Sequence, residues 1–122
     1  MQSLNSPSAE RRRSQRRRAC FPVEVHHHEG APATALVREV SCHGVQLLTR
    51  EPIGVKTRVA MMMYIEDAST SHPSTGTVVR VTAPEDRGGF WGWVVTVDFD
   101  DPISALEPRV VEVAERQRNL GV

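Results

Sequence analysis

Six short segments in which apolar and polar residues alternate, each closed off by Gly, Pro, Asp or Ser, constrain this chain more than any other feature. Successive side chains of a strand point to opposite faces, so a period of two makes one apolar row that has to be buried against other strands. Phe21, Val23 and Val25 alternate with Pro22, Glu24 and His26, which predicts a first strand over 23–28. The same reading places strands at 35–40, 45–49, 56–65, 76–82 and 90–99, with Val59, Met61, Met63 and Ile65 on one face of the fourth and Trp91, Trp93, Val95, Val97 and Phe99 on one face of the sixth. Gly30-Ala31-Pro32, Ser41-Cys42-His43-Gly44, Glu51-Pro52-Ile53-Gly54, a polar loop over 66–75 and a Pro-, Asp- and Gly-rich stretch over 83–89 join them. The period changes after Asp100-Asp101-Pro102. Residues 105–118 set Val110, Val111, Val113, Ala114 and Gln117 at helical spacing, with Glu107 early and Arg116 and Arg118 late, as the helix dipole favours. An all-β-dominated fold is expected: a six-stranded antiparallel β-barrel with one C-terminal α-helix over an end or flank.

At 122 residues the chain reads as one barrel domain over 19–122, preceded by an arm over 1–18. Residues 1–10 are too poor in bulky apolar groups to offset the entropy of ordering, so the arm is expected to be flexible. The formal charge of zero hides an asymmetry. Six arginines against Glu10 make the arm strongly positive and leave nine basic and fourteen acidic residues in the body. A nucleic-acid binder is ordinarily basic throughout, so the acidic body argues against that class. No apolar run nears the ~20 residues a membrane helix needs, and the arginines are not followed by the apolar stretch of a secretory signal, so a cytoplasmic protein without membrane contact is expected. Cys20 and Cys42 form no disulfide framework and fit reduced thiols.

Two short pieces carry the chemistry: Arg11-Arg12-Arg13-Ser14-Gln15-Arg16-Arg17-Arg18 and Glu39-Val40-Ser41-Cys42-His43-Gly44. Arginine's planar fork matches phosphate oxygens and the N7/O6 edge of guanine, and two arginines four residues apart can grip a nucleotide at two points. Ser and Gly in one turn add a hydroxyl and a close backbone approach, while Cys42 and His43 between them read as exposed. His26-His27-His28 does not suggest a metal site, because only His26 and His28 share a face of a strand. Met61 to Met63 and the tryptophans read as core first. No nucleophile elbow, phosphate-binding glycine loop or carboxylate pair is evident, so an enzyme is not expected.

With these residues in this order, the chain resembles the PilZ domain family, small six-stranded barrels with a C-terminal helix that bind cyclic di-GMP. The family's RxxxR motif is best matched by Arg12 and Arg16, counted from the Phe21-Pro22-Val23 strand start, with Arg13 and Arg17 as the other register. Its (D/N)xSxxG motif is matched by Ser41 and Gly44, with Glu39 at the Asp/Asn position. The resemblance implies that Arg12 and Arg16 take phosphate and guanine, that Glu39 accepts from guanine N1 and N2, and that Ser41 and Gly44 complete the site, with no cofactor. It also implies an arm that orders on cyclic di-GMP and signals to an unidentified protein partner. Phe21 lies only five positions after Arg16, at most ~18 Å of chain, so the arm would fold back on the barrel. The alternative is a degenerate, adaptor-only PilZ-like domain, to which Glu39 in place of Asp points. Strand edges and Trp91 leave a homodimer open.

Overall fold

The structure, a computed structural model, describes residues 16–27, 30–83 and 92–120. Seven strands and one helix make up the described chain: β1 (Arg17–Arg18), β2 (Pro22–His26), β3 (Ala33–Val40), β4 (Gly44–Thr49), β5 (Arg58–Met63), β6 (His72–Thr82), β7 (Trp93–Phe99) and α1 (Glu107–Asn119). Six of them close a barrel in the order β3-β2-β5-β6-β7-β4, with β4 returning to β3 and every pairing antiparallel. The expected six-stranded barrel with a C-terminal helix is therefore the observed one. The apolar rows point inward: Val23, Val25, Val37, Leu47, Met61, Met63, Val78, Val95 and Val97 are essentially inaccessible.

Several boundaries differ from the sequence reading, each for a physical reason. Lys56 was expected in a strand, but its φ of 76° is left-handed, and the 54–57 turn is tied down by Thr57 N–H donating to the Gly54 carbonyl and Lys56 N–H to that of Val78. Residues 72–75, expected in a loop, are strand because Met63 to Ala60 of β5 take their register from His72 to Thr75. Pro73 is tolerated there since β7 begins to pair with β6 only at Gly76, leaving its missing N–H on an open edge. Pro108 in the first helical turn sets the start of α1 after a short 3₁₀ turn at Ser104–Leu106. His28, Phe90, Trp91 and the 84–89 turn lie outside the described residues, as does the arm before Arg16.

The arm enters through β1. Arg17 and Arg18 pair with Val40 and Glu39, whereas Pro22 pairs with Leu36, so four steps on the arm oppose three on β3 and a bulge falls at Ala19–Cys20. Helix α1 buries Val110, Val113 and Ala114 and fastens that bulge: Cys20 N–H donates to Gln117 Oε1 at 2.8 Å, and Gln117 Nε2 donates to the Cys20 carbonyl at 2.7 Å. The Gln117 amide thus acts on Cys20 as a neighbouring strand would.

Two polar clusters hold the barrel's ends. Asp100 receives both terminal nitrogens of Arg58 at 2.6 Å and the Thr75 hydroxyl at 2.6 Å, which pulls its carboxyl down to about 2. Glu66 accepts from His72 Nε2 at 2.6 Å and from Arg109 Nε at 2.8 Å, joining the β5–β6 loop to α1, and its carboxyl is lowered first by the His72 bond.

Candidate functional site

The polar turn at 41–44 is built largely by its own serine. Ser41 Oγ accepts from the N–H groups of His43 (3.3 Å) and Gly44 (3.2 Å), while Ser41 N–H donates to the Gly44 carbonyl at 2.9 Å. The turn is then pinned to the end of the neighbouring β7 and the segment after it, because the Phe99 N–H donates to the His43 carbonyl and the Ile103 N–H to that of Cys42. Cys42 and His43, expected to be exposed, are instead half-buried, with Cys42 Sγ 3.3 Å from His43 Nδ1. Their carbonyls serve as anchors, which is why the turn cannot swing free. Gly44 is required by packing: a Cβ there would lie 2.7 Å from the Val97 carbonyl oxygen.

Above this turn, the outer face of β3, β4, β7 and β6 forms a cleft of about 360 Å³. Arg16, Glu39, Ser41 and Gly44 line it together, so four of the residues named from the sequence meet at one place. Arg12 and Arg13 lie outside the described residues. Arg17 is placed elsewhere. It pairs with inward-facing Val40 and lines a recess under α1 with Cys42, Ile103, Glu107 and Val110, on the opposite side of the arm from Arg16. Strand alternation explains the split, since neighbouring arginines in an extended arm cannot face the same way.

His43 also lines the cleft, and the remaining cleft residues, Gln46, Val79, Arg80, Thr96 and Asp98 among them, escaped the sequence reading. Their placement follows from two bulges. β3 pairs Val37 with Leu47 but Glu39 with Gln46, and β6 pairs Val78 with Val97 but Arg80 with Thr96, so Arg38 and Val79 are extra residues. Each bulge shifts the side-chain phase by one, turning Glu39 and Arg80 outward where strict alternation would send them into the core. A transverse row results, Glu39 beside Gln46 beside Thr96 beside Arg80, one from each of four adjacent strands. For β3 the signal was present in the sequence, since Val40 follows Val37 by three where Ala33, Ala35 and Val37 are spaced by two. For β6 it was not, because the exposed Val79 is itself apolar and alternates with Val81 as an ordinary strand would.

The cleft therefore holds an arginine near each side, carboxylates from Glu39 and Asp98 between them, and an anchored turn at its floor. Such a surface can take anionic or acceptor-rich groups at its two sides and donor-bearing edges in the middle. Among the described residues no group of three His, Cys, Asp or Glu side chains is placed to hold a metal, and no helix is long and apolar enough to cross a membrane.

The PilZ domain profile matches residues 10–113. No curated protein matches the sequence. Among solved structures, the PilZ domain of Escherichia coli YcgR with c-di-GMP is similar at a TM-score of 0.71 and 12% identity, covering 91% of this chain and 96% of that one. The PilZ domain of CeSA from a cellulose-synthesizing bacterium aligns at a TM-score of 0.56 and 18% identity over 86% of this chain and 99% of its own. Bacillus subtilis inhibitor of motility (MotI/DgrA) aligns at 0.62 and 13% identity; 87% of this chain covers 51% of that one, so the chain spans about half its length.

Proposed function

The chain belongs to the PilZ domain family, and on that premise we propose that it binds cyclic di-GMP in the β3-β4-β7-β6 cleft and passes the signal on by protein contact. One observation carries the reading: Arg16 of the first motif and Ser41 and Gly44 of the second, with Glu39 at the second motif's Asp/Asn position, line one cleft, whereas Arg17 of the other register lines a different recess. Arg16 and, four residues earlier, Arg12 supply guanidinium forks for phosphate and the guanine O6/N7 edge. Glu39 accepts from guanine N1 and N2, and the Ser41–Gly44 turn presents a fixed edge to the ligand. Binding draws the positive arm onto the acidic body and makes a new surface for a protein partner. The protein acts as a binding and adaptor module, with no cofactor and no reaction of its own.

Calorimetric titration of the purified full chain with cyclic di-GMP, using GTP as the control ligand, tests this directly. Saturable binding is expected, weakened at least about tenfold by Arg16→Ala and unaffected by Arg116→Ala on the helix, where the side chain pairs with Glu112. No heat for the wild type sinks the reading. Glu39 favours a second one, because its extra methylene displaces the carboxylate from where Asp would hold it. If Glu39→Asp creates binding that the wild type lacks, the chain is an adaptor with a degenerate site.

A further inference from the structure

The reading of the cleft as a cyclic di-GMP site leaves one of its walls unassigned. That wall is the β6 bulge, where Val79 and Arg80 both reach the outer surface. Val78 is fully buried against the core, so an uninterrupted strand would turn Val79 out and Arg80 back in among the valines of the barrel. The extra residue reverses that. Arg80 comes to stand opposite Thr96, and through Thr96 and Gln46 in line with Glu39. Three strand spacings separate Glu39 from Arg80, about 14 Å at ~4.8 Å each. Arg80 thus belongs to the side of the cleft away from the arm.

We propose that Arg80 is a ligand-contacting residue, and that its guanidinium takes the O6/N7 edge of the guanine that lies farther from Arg16. The proposal rests on the cyclic di-GMP reading and deepens it. Three features of the site point this way. A two-base ligand presents two acceptor-rich purine edges, and the cleft offers one guanidinium near each side, with the donor-seeking carboxylates of Glu39 and Asp98 between. Val79, apolar and 44% exposed at the bulge, supplies a dry shoulder beside Arg80 on which a base face can rest. A bulge moreover costs a ladder position, and here it brings a fork-shaped donor to the cleft instead of burying a charge. Arg80 is therefore the counterpart of Arg16 across the site, and its backbone belongs to the barrel itself.

The test is a titration of the full chain with cyclic di-GMP, comparing wild type, Arg80→Ala, Arg80→Lys and Arg16→Ala. Arg80 is exposed, so its variants are expected to melt with the wild type, and a thermal scan verifies this before titration. Arg80→Ala is expected to weaken binding at least about tenfold, the loss of one bidentate base contact. Arg80→Lys restores little of that loss, because an ammonium is a point charge without the planar fork. Arg80→Ala binding within about twofold of wild type while Arg16→Ala weakens it overturns the role of Arg80 and leaves the site reading standing. Full rescue by Arg80→Lys overturns the fork contact, since charge alone would then suffice. A wild type that does not bind defeats the site reading, and the role of Arg80 falls with it.

Discussion

Gly44→Ala should destabilise the protein before any ligand is added. Gly44 sits at the start of β4 opposite Asp98 of β7, and an alanine methyl there would meet the Val97 carbonyl oxygen at 2.7 Å and Asp98 Oδ1 at 3.4 Å. Carbon and oxygen ordinarily approach no closer than about 3.3 Å, so roughly 0.6 Å of separation has to be found. The obstacle is backbone, and β7 is held on both sides by β4 and β6, so it cannot yield alone. Moving β4 instead pulls the His43 carbonyl from the Phe99 N–H and disturbs the 41–44 turn. Overpacking of this kind costs about 1–3 kcal/mol. Urea unfolding of the ligand-free protein, followed by tryptophan fluorescence, measures it. A ligand-free Gly44→Ala variant within about 0.5 kcal/mol of wild type, the ordinary range for surface changes, would refute the packing argument and leave the glycine to the ligand alone.

Two further outcomes follow from the clusters that tie the fold together. The carboxyl of Asp100 is held down to about 2, from an ordinary 3.8, by Arg58 and Thr75, so its stabilisation is complete above the ordinary value and fades as pH falls toward 2. Asp100→Asn should therefore flatten the dependence of stability on pH across that window, as read by acid titration of circular dichroism; an unchanged slope would show that the pair contributes nothing. Gln117→Ala removes two hydrogen bonds to the backbone of Cys20 and is expected to cost about 1–3 kcal/mol. It should also speed hydrogen exchange at the Cys20 amide, and unaltered protection there would contradict the clamp.

Much of this architecture was legible in the amino-acid order because burial imposes a period. Val23 and Val25, and Val95 and Val97, are separated by a polar residue, Met61 and Met63 recur at the same period across Met62, and each of those pairs is buried in the barrel. Val110, Val113 and Ala114 at helical spacing likewise became the buried stripe of α1. Ser41 and Gly44 were readable as a turn since the serine hydroxyl and the glycine act within four residues of chain. Gln117 was readable as facing inward, but not as a clamp, because its partner is the backbone of Cys20 at the other end of the chain. The limits of β5 and β6 were misplaced for a similar reason: register is a property of two strands, and Pro73 lies in β6 only because β5 needs a partner there.

The cleft divides the same way. Local chemistry pointed to the arginine run with its forks and to the Ser41–Gly44 turn, and the resemblance to the PilZ motifs singled out Arg16 and Glu39. Which arginine of the described arm faces the cleft depended on pairing across the chain, since β1 lies against β3 so that Arg17 turns toward Val40 and α1 while Arg16 lines the cleft. The far wall depended on it still more. Arg80, Thr96 and Asp98 carry no motif, and they join Glu39 and Gly44 in one cleft only because β3, β4, β7 and β6 are neighbours in a closed barrel. Side-chain type and period are fixed along the chain, whereas adjacency between strands arises when the barrel closes, and the cleft is made of adjacency.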